Sequence, residues 1–136
     1  MAFVLDASMT ACWAFADEDH PAAERAFLSL QAGEAVVPAL WWFEVRNILI
    51  VNERRGRIHE RETEAFLRAL AQLRIRIDRE PEQAEVLRMA RERGLSVYDA
   101  AYLELASRGK LALATLDRKL EDAARFVGVS LFEKGA

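Results

Sequence analysis

Short runs of apolar and β-branched residues alternate along the chain with stretches whose apolar positions recur every three or four residues. Ala2–Leu5, Ala35–Val37, Ile75–Ile77 and Leu111–Leu116 have the composition of strands, and Val129–Phe132 reads as a weaker fifth. The helical periodicity predicts helices near Met9–Ala16, Pro21–Gln31, Leu40–Arg55, Glu60–Gln72, Pro81–Arg93, Val97–Arg108 and Lys119–Val127. Pro21 and Pro81 suit a first helical turn, and Gly33, Gly56, Gly94, Gly109 and Gly128 fall where helices should stop. Strands separated by helices pair in parallel, because each connection crosses back over the sheet. The pattern predicts an α/β fold: a three-layer α/β/α sandwich with a mostly parallel sheet of about five strands. No repeat or low-complexity linker interrupts it, so a single domain over residues 1–136 is expected. In such sheets ligands collect beyond the carboxyl ends of the strands.

Composition narrows the class. A chain of 136 residues, 52% hydrophobic and 30% charged, can bury a core and is not a disordered segment. No apolar run approaches the ~18 residues that span a bilayer, so no membrane partner is expected. The start Met-Ala-Phe-Val-Leu-Asp lacks the basic region of a secretion signal. Cys12 has no second cysteine for a disulfide, zinc or redox pair, and a cytoplasmic location is expected. The net charge of −3 speaks against a nucleic-acid partner at first sight. Setting four carboxylates aside as metal ligands brings the acidic groups below the 19 basic ones, so the balance decides nothing.

Four acids fall where a site is expected. Asp6 directly follows the first predicted strand and Asp117 the fourth, so parallel pairing puts both on one edge of the sheet. Either alone could simply cap the helix after it. Glu44 has Leu40, Trp41, Asn47, Ile48 and Val51 as helical neighbours, which sets a carboxylate within an apolar face. Burying it unpaired costs several kcal/mol or forces it to take a proton; a cation removes that cost, as would an arginine such as Arg118. Asp99 lies among Leu95, Tyr102, Leu103 and Ala106, and Ser96-x-x-Asp99 also matches a capping box. Gathered carboxylates repel one another unless a cation offsets the repulsion. Hard oxygen donors without cysteine or spaced histidines favour Mg²⁺ or Mn²⁺, which can activate water and stabilise charge on a phosphodiester.

These residues carry a resemblance. Val4-Leu5-Asp6-Ala7-Ser8, Val37-Pro38-x-Leu40-x-x-x-Glu44-x-x-Asn47, Leu95-Ser96-x-x-Asp99-Ala100-x-Tyr102 and Ala114-Thr115-x-Asp117-x-x-Leu120 occur in order over nearly the whole chain. The sequence resembles PIN-domain ribonucleases and, in size, VapC-type toxins of toxin–antitoxin pairs. That resemblance implies an endoribonuclease using Mg²⁺ or Mn²⁺ held by Asp6, Glu44, Asp99 and Asp117. Ser8 and Thr115 would support the acids through their hydroxyls, and Asn47 would line the site. It further implies an RNA substrate, a homodimer and a cognate VapB-type antitoxin protein. Leu120 stands where the family often has phenylalanine, and Asp122 could add an outer acid.

Other signals stay open. Trp42, opposite Glu44 and near Arg46 and Leu49, either packs on a neighbouring helix or forms a dimer or antitoxin surface. Arg54, Arg55 and Arg57 read as a solvated basic turn, while Arg118 and Lys119 could steer phosphate. Asp17-Glu18-Asp19-His20 suits the positive end of the next helix or the entrance of a cleft. His20 and His59 fall in turns without an evident partner. No Gly-x-Ser-x-Gly, P-loop or Gly-x-Gly-x-x-Gly occurs, which removes support for triad hydrolases, nucleoside triphosphatases and Rossmann enzymes. Two other classes remain: a phosphoryl-transfer domain with a strand-end aspartate as nucleophile, and a non-catalytic α/β interaction module.

Overall fold

A computed structural model describes residues 1–132. Strands β1 (Ala2–Leu5), β2 (Glu34–Pro38), β3 (Ile75–Asp78) and β4 (Ala112–Ala114) form a parallel sheet in the order β3-β2-β1-β4. In β1 and β2 nearly every side chain is buried, because helices cover both faces and no polar side is needed. Edge strand β3 alternates Ile75 and Ile77 with the exposed Arg76.

The fifth strand is reduced to one bridge. Leu131 pairs in parallel with Leu113, flanked by bonds from Leu113 N to Ser130 O and from Phe132 N to Leu113 O, both 2.8 Å. The sheet therefore has four strands rather than about five. Strand β4 is also shorter than the expected Leu111–Leu116, because Thr115 and Asp117 turn their groups to the start of the next helix.

Among the described residues six helices connect the strands, α1 (Ala7–Cys12), α2 (Pro21–Ser29), α3 (Leu40–Arg54), α4 (Glu60–Leu70), α5 (Gln83–Arg93) and α6 (Val97–Gly109), and α7 (Arg118–Val127) follows β4. Crossovers between parallel strands are right-handed, so in this strand order the connections from β1 to β2 and from β2 to β3 carry α1–α4 over one face and the return from β3 to β4 carries α5 and α6 over the other. Helix α6 packs on β1, β2 and β4 as well as on α5 and α7, burying Ala100, Tyr102, Leu103, Leu105 and Ala106. On the opposite face α1 packs on α3. The Trp41 indole donates to the Thr10 hydroxyl at 2.9 Å, and that hydroxyl donates to the Asp6 carbonyl at 2.8 Å.

Helix ends differ from expectation where side chains intervene. Helix α1 begins at Ala7, two residues early, because the Asp6 carboxylate caps it. Pro81 precedes α5 rather than entering its first turn; the capping position is Glu82, whose N–H donates to the buried Glu104 carboxylate at 3.3 Å. Glu104 is in turn paired with Arg108 at 2.7 Å, and Arg108 reaches Asp78 at 2.7 Å, so this buried charge is not orphaned. Gly94 and Gly128 end α5 and α7 in the left-handed conformation that glycine adopts without strain. At the end of α6 Gly109 stays helical and Lys110 takes the left-handed turn instead.

Leu49 is fully buried on α3, whereas Leu28 on α2 is 58% exposed. Leu49→Ala should therefore lower unfolding free energy by about 2–5 kcal/mol in chemical denaturation, with Leu28→Ala staying within about 0.5 kcal/mol of the parent.

Candidate functional site

Strand β1 has β2 on one side and β4 on the other: the chain steps outward from β1 through β2 to β3, then returns past β1 to lay β4 on its far side. Such a switch point opens a crevice at the carboxyl edge of the sheet. Asp6 ends β1 there, with its N–H closing onto Ala114 O at 3.0 Å. The side chain is buried, yet three donors reach it. One oxygen accepts from the Met9 N–H at 2.9 Å and the Ser8 hydroxyl at 3.0 Å, and the other accepts from the Thr115 hydroxyl. Burial pushes the Asp6 carboxyl above its ordinary range, these donors oppose the rise, and the charge of Asp117 adds to it.

Thr115 joins two acids. Its oxygen also accepts the Asp117 N–H at 3.0 Å, while the exposed Asp117 carboxylate accepts the Leu120 N–H at 3.1 Å. Asp6 and Asp117 are thus helix caps, as the simpler reading allows, and they also line one cavity of about 230 Å³ with Glu44, Asp99, Ser8 and Asn47. Capping uses one oxygen of Asp117 and leaves the other without a hydrogen bond among the described residues.

Glu44 enters this cavity from α3. The buried face of that helix is Trp41, Val45, Leu49 and Asn52, so Glu44 lies half-buried at its margin rather than within it. Its partner is Tyr102 of α6, whose hydroxyl donates at 2.6 Å, and not Arg118. Tyr102 stands in the sequence motif without an evident role; the pairing depends on two helices meeting across the sheet edge. Burial raises the Glu44 carboxyl, Tyr102 opposes this, and Asp99 and Asp6 raise it further. Burial beside Glu44 pushes the phenol far up, which keeps Tyr102 a donor.

Asp99 sits in the first turn of α6. Ser96 caps that helix by accepting the Asp99 N–H at 3.0 Å, but the reciprocal bond from the Asp99 carboxylate to the Ser96 backbone does not form among the described residues. The carboxylate is left to the cavity. Burial raises it, Asp117 raises it further, and Lys119 and the Ser96 hydroxyl act in the opposite direction.

None of the four acids forms an ion pair among the described residues. Nor do any three of them bring oxygens within 4.8 Å of one another; the group of possible ligands that does is Cys12, Glu18 and His20. Carboxylates at this wider spacing suit an ion that keeps part of its water shell, as Mg²⁺ does.

The remaining expectations divide. Ser8 and Thr115 touch Asp6, and Asn47 lines the cavity. Asp122 lies outside it, paired with Arg125 at 3.3 Å. Arg57 is no free surface charge: it binds Asn52, Asp17 and Glu18. Asp17 and Glu18 are consequently turned to Arg57, and the acidic residue in the first turn of α2 is Glu24. His59 caps α4 in a capping box with Glu62. Trp42 is 43% exposed, edge-on to the exposed Phe43 and covered by Arg46 at 3.9 Å, while Leu49 faces the core.

Comparison with known proteins adds to this geometry. A family model described as PIN domain matches residues 3–126. Ribonuclease VapC3 of Pyrobaculum aerophilum is 36% identical over 126 residues, covering 90% of this chain and 94% of that protein. Exonuclease VapC9 of the same organism is 36% identical over 78 residues, 57% of this chain and 58% of that one. Among solved structures, PAE2754 from Pyrobaculum aerophilum superposes with a TM-score of 0.69 at 28% identity, covering 90% of this chain and 87% of that one. FitAcB from Neisseria gonorrhoeae gives a TM-score of 0.64 at 21% identity over 99% of both chains, a likeness of fold.

Burial of Asp6 has a consequence for stability. A carboxyl raised in the folded state favours folding while protonated and loses that contribution as pH rises through its raised value. With chelator present, Asp6→Asn should unfold at higher denaturant than the parent at pH 7. The difference should vanish below the ordinary carboxyl value of 3.8. An asparagine variant less stable at pH 7 would contradict this electrostatic account.

Proposed function

The chain belongs to the PIN-domain family, among the VapC-type ribonucleases, and from that premise we propose that it is a Mg²⁺- or Mn²⁺-dependent endoribonuclease. The observation that carries this reading is the gathering of Asp6, Glu44, Asp99 and Asp117 at one cavity with no ion pair to any of them among the described residues. Three of those carboxyls are raised by burial and by the charge of another acid of the four, which is the condition a divalent cation relieves. The donor set is all oxygen, which fits Mg²⁺ or Mn²⁺ better than softer ions. Bound there, the ion supplies Lewis-acid stabilisation of the charge that develops on a phosphodiester and makes water a better nucleophile at neutral pH.

The protein's own groups have separable tasks. Asp6, fixed by Met9, Ser8 and Thr115, is a pre-oriented ligand that loses little freedom on binding. Tyr102 holds one oxygen of Glu44 and leaves the other available. Asn47 offers an amide donor to a phosphate oxygen, and the exposed Arg118 and Lys119 beside Asp117 draw the RNA backbone toward the acids.

The same reading assigns a toxin's role, with a cognate VapB-type antitoxin as inhibitor, a homodimer and a cytoplasmic location. The VapC names of the relatives support it. The exposed Trp42–Phe43 pair supports a protein contact on α3. No helix among the described residues is long and apolar enough to cross a membrane. The match over residues 3–126 supports one nuclease domain.

Incubation of the purified protein with a circular RNA, which has no ends for an exonuclease, tests the chemistry. Cleavage is expected with Mg²⁺ or Mn²⁺ and should stop with chelator. Asp6→Asn and Asp99→Asn should each slow it by about 100-fold or more, the scale of one preorganised electrostatic contact. Variants that cut as fast as the parent would remove both acids from the site.

A further inference from the structure

Cys12, Glu18 and His20 lie outside the acidic cavity, where α1 ends and α2 is about to begin. Their ligand atoms all fall within 4.8 Å of one another. The Cys12 thiol donates to Glu18 Oε1 at 3.4 Å, and His20 Nε2 is 3.9 Å from the same oxygen. Arg57 holds the other oxygen, Glu18 Oε2, at 3.1 Å, which turns Oε1 toward the thiol and the imidazole. His20 occupies the capping position of α2 but makes no capping hydrogen bond, so its ring nitrogens are not used by the helix. The three groups open onto a cavity of about 290 Å³ that Asp19 and Glu24 also line.

We propose that Cys12, Glu18 and His20 form a second cation site, for a borderline-soft divalent ion such as Zn²⁺. One sulfur, one nitrogen and one carboxylate oxygen are the donor types Zn²⁺ takes. Bond lengths of about 2.0–2.3 Å in a tetrahedral site set ligand atoms roughly 3.3–3.8 Å apart. The thiol–carboxylate distance already lies in that range, and the imidazole–carboxylate distance is close to it. Water, Asp19 or Glu24 supplies the fourth position. Binding exchanges the thiol proton, released to solvent, for the ion. The ion would clasp the end of α1 to the entry of α2, where the Trp13 indole already bonds Ala23 O at 2.8 Å. Nothing in this site depends on the nuclease reading, and its donor set separates it from the all-oxygen cavity.

Metal-stripped full-length protein titrated with Co²⁺, a spectroscopic substitute for Zn²⁺, provides the test. The parent should develop a thiolate-to-cobalt charge-transfer band that Zn²⁺ displaces, and Zn²⁺ should raise its thermal midpoint. Asp6→Asn should keep the band. Cys12→Ser should abolish it, and His20→Ala, a change at an exposed residue, should weaken Zn²⁺ binding by about 10- to 100-fold or more. Absence of the band in the parent, or unchanged Zn²⁺ affinity in His20→Ala, would overturn the proposal.

Discussion

The carboxylate of Asp6 is taken out of water at the end of the central strand, and three hydrogen-bond donors from two segments converge on it. Met9 and Ser8 come from the helix that Asp6 itself starts, whereas Thr115 directly follows β4, the strand beside it. The backbone of the same residue accepts from Thr10, which accepts from Trp41 and so ties α1 to the first turn of α3. One turn further along α3 is Glu44, held by Tyr102 of α6. The positions of Asp6 and Glu44 are consequently linked, and Thr115, which also accepts the Asp117 N–H, ties Asp117 to the same buried residue. A polar group left buried without partners costs about 1–3 kcal/mol, and that penalty makes the arrangement hard to rearrange piecemeal.

The same groups are in electrostatic conflict. Asp6, Glu44 and Asp99 are each raised by burial, and each is raised further by another member of the set. The fold meets its other buried acid differently: Glu104 has Arg108, which also reaches Asp78. An arginine pairs with the carboxylate that braces α6, whereas none of the four carboxylates facing the cavity has an ion-pair partner among the described residues. That difference, together with an all-oxygen donor set, is what supports the proposal of a hard divalent cation at the cavity.

Much of this was legible along the chain because the relevant constraints are local. Apolar runs of strand length marked β1 to β4, and the carboxylates directly after β1 and shortly beyond β4 marked the sheet edge on which the cavity opens. What escaped depends on tertiary contact. Only the packing of α3 against α1 shows that Trp41, Val45 and Leu49 face inward and Glu44 sits at the margin. The Tyr102–Glu44 bond joins residues 58 positions apart. Val129–Phe132 has strand composition, but only Leu131 bridges to its three-residue neighbour β4. His59 was unreadable as a cap because histidine seldom fills that role, and Arg57 looked solvated because Asp17 and Glu18 are far from it in sequence.

In the proposed function the four carboxylates are gathered for a divalent cation, and the most direct measurement is the effect of Mn²⁺ on thermal unfolding of the metal-stripped protein. An ion that binds only the folded state raises the midpoint with concentration. The parent should show that rise, and Asp99→Asn, whose half-buried side chain does not hold the fold together, should lose most of it. A midpoint indifferent to Mn²⁺ in the parent, or an equal rise in both proteins, would contradict the account.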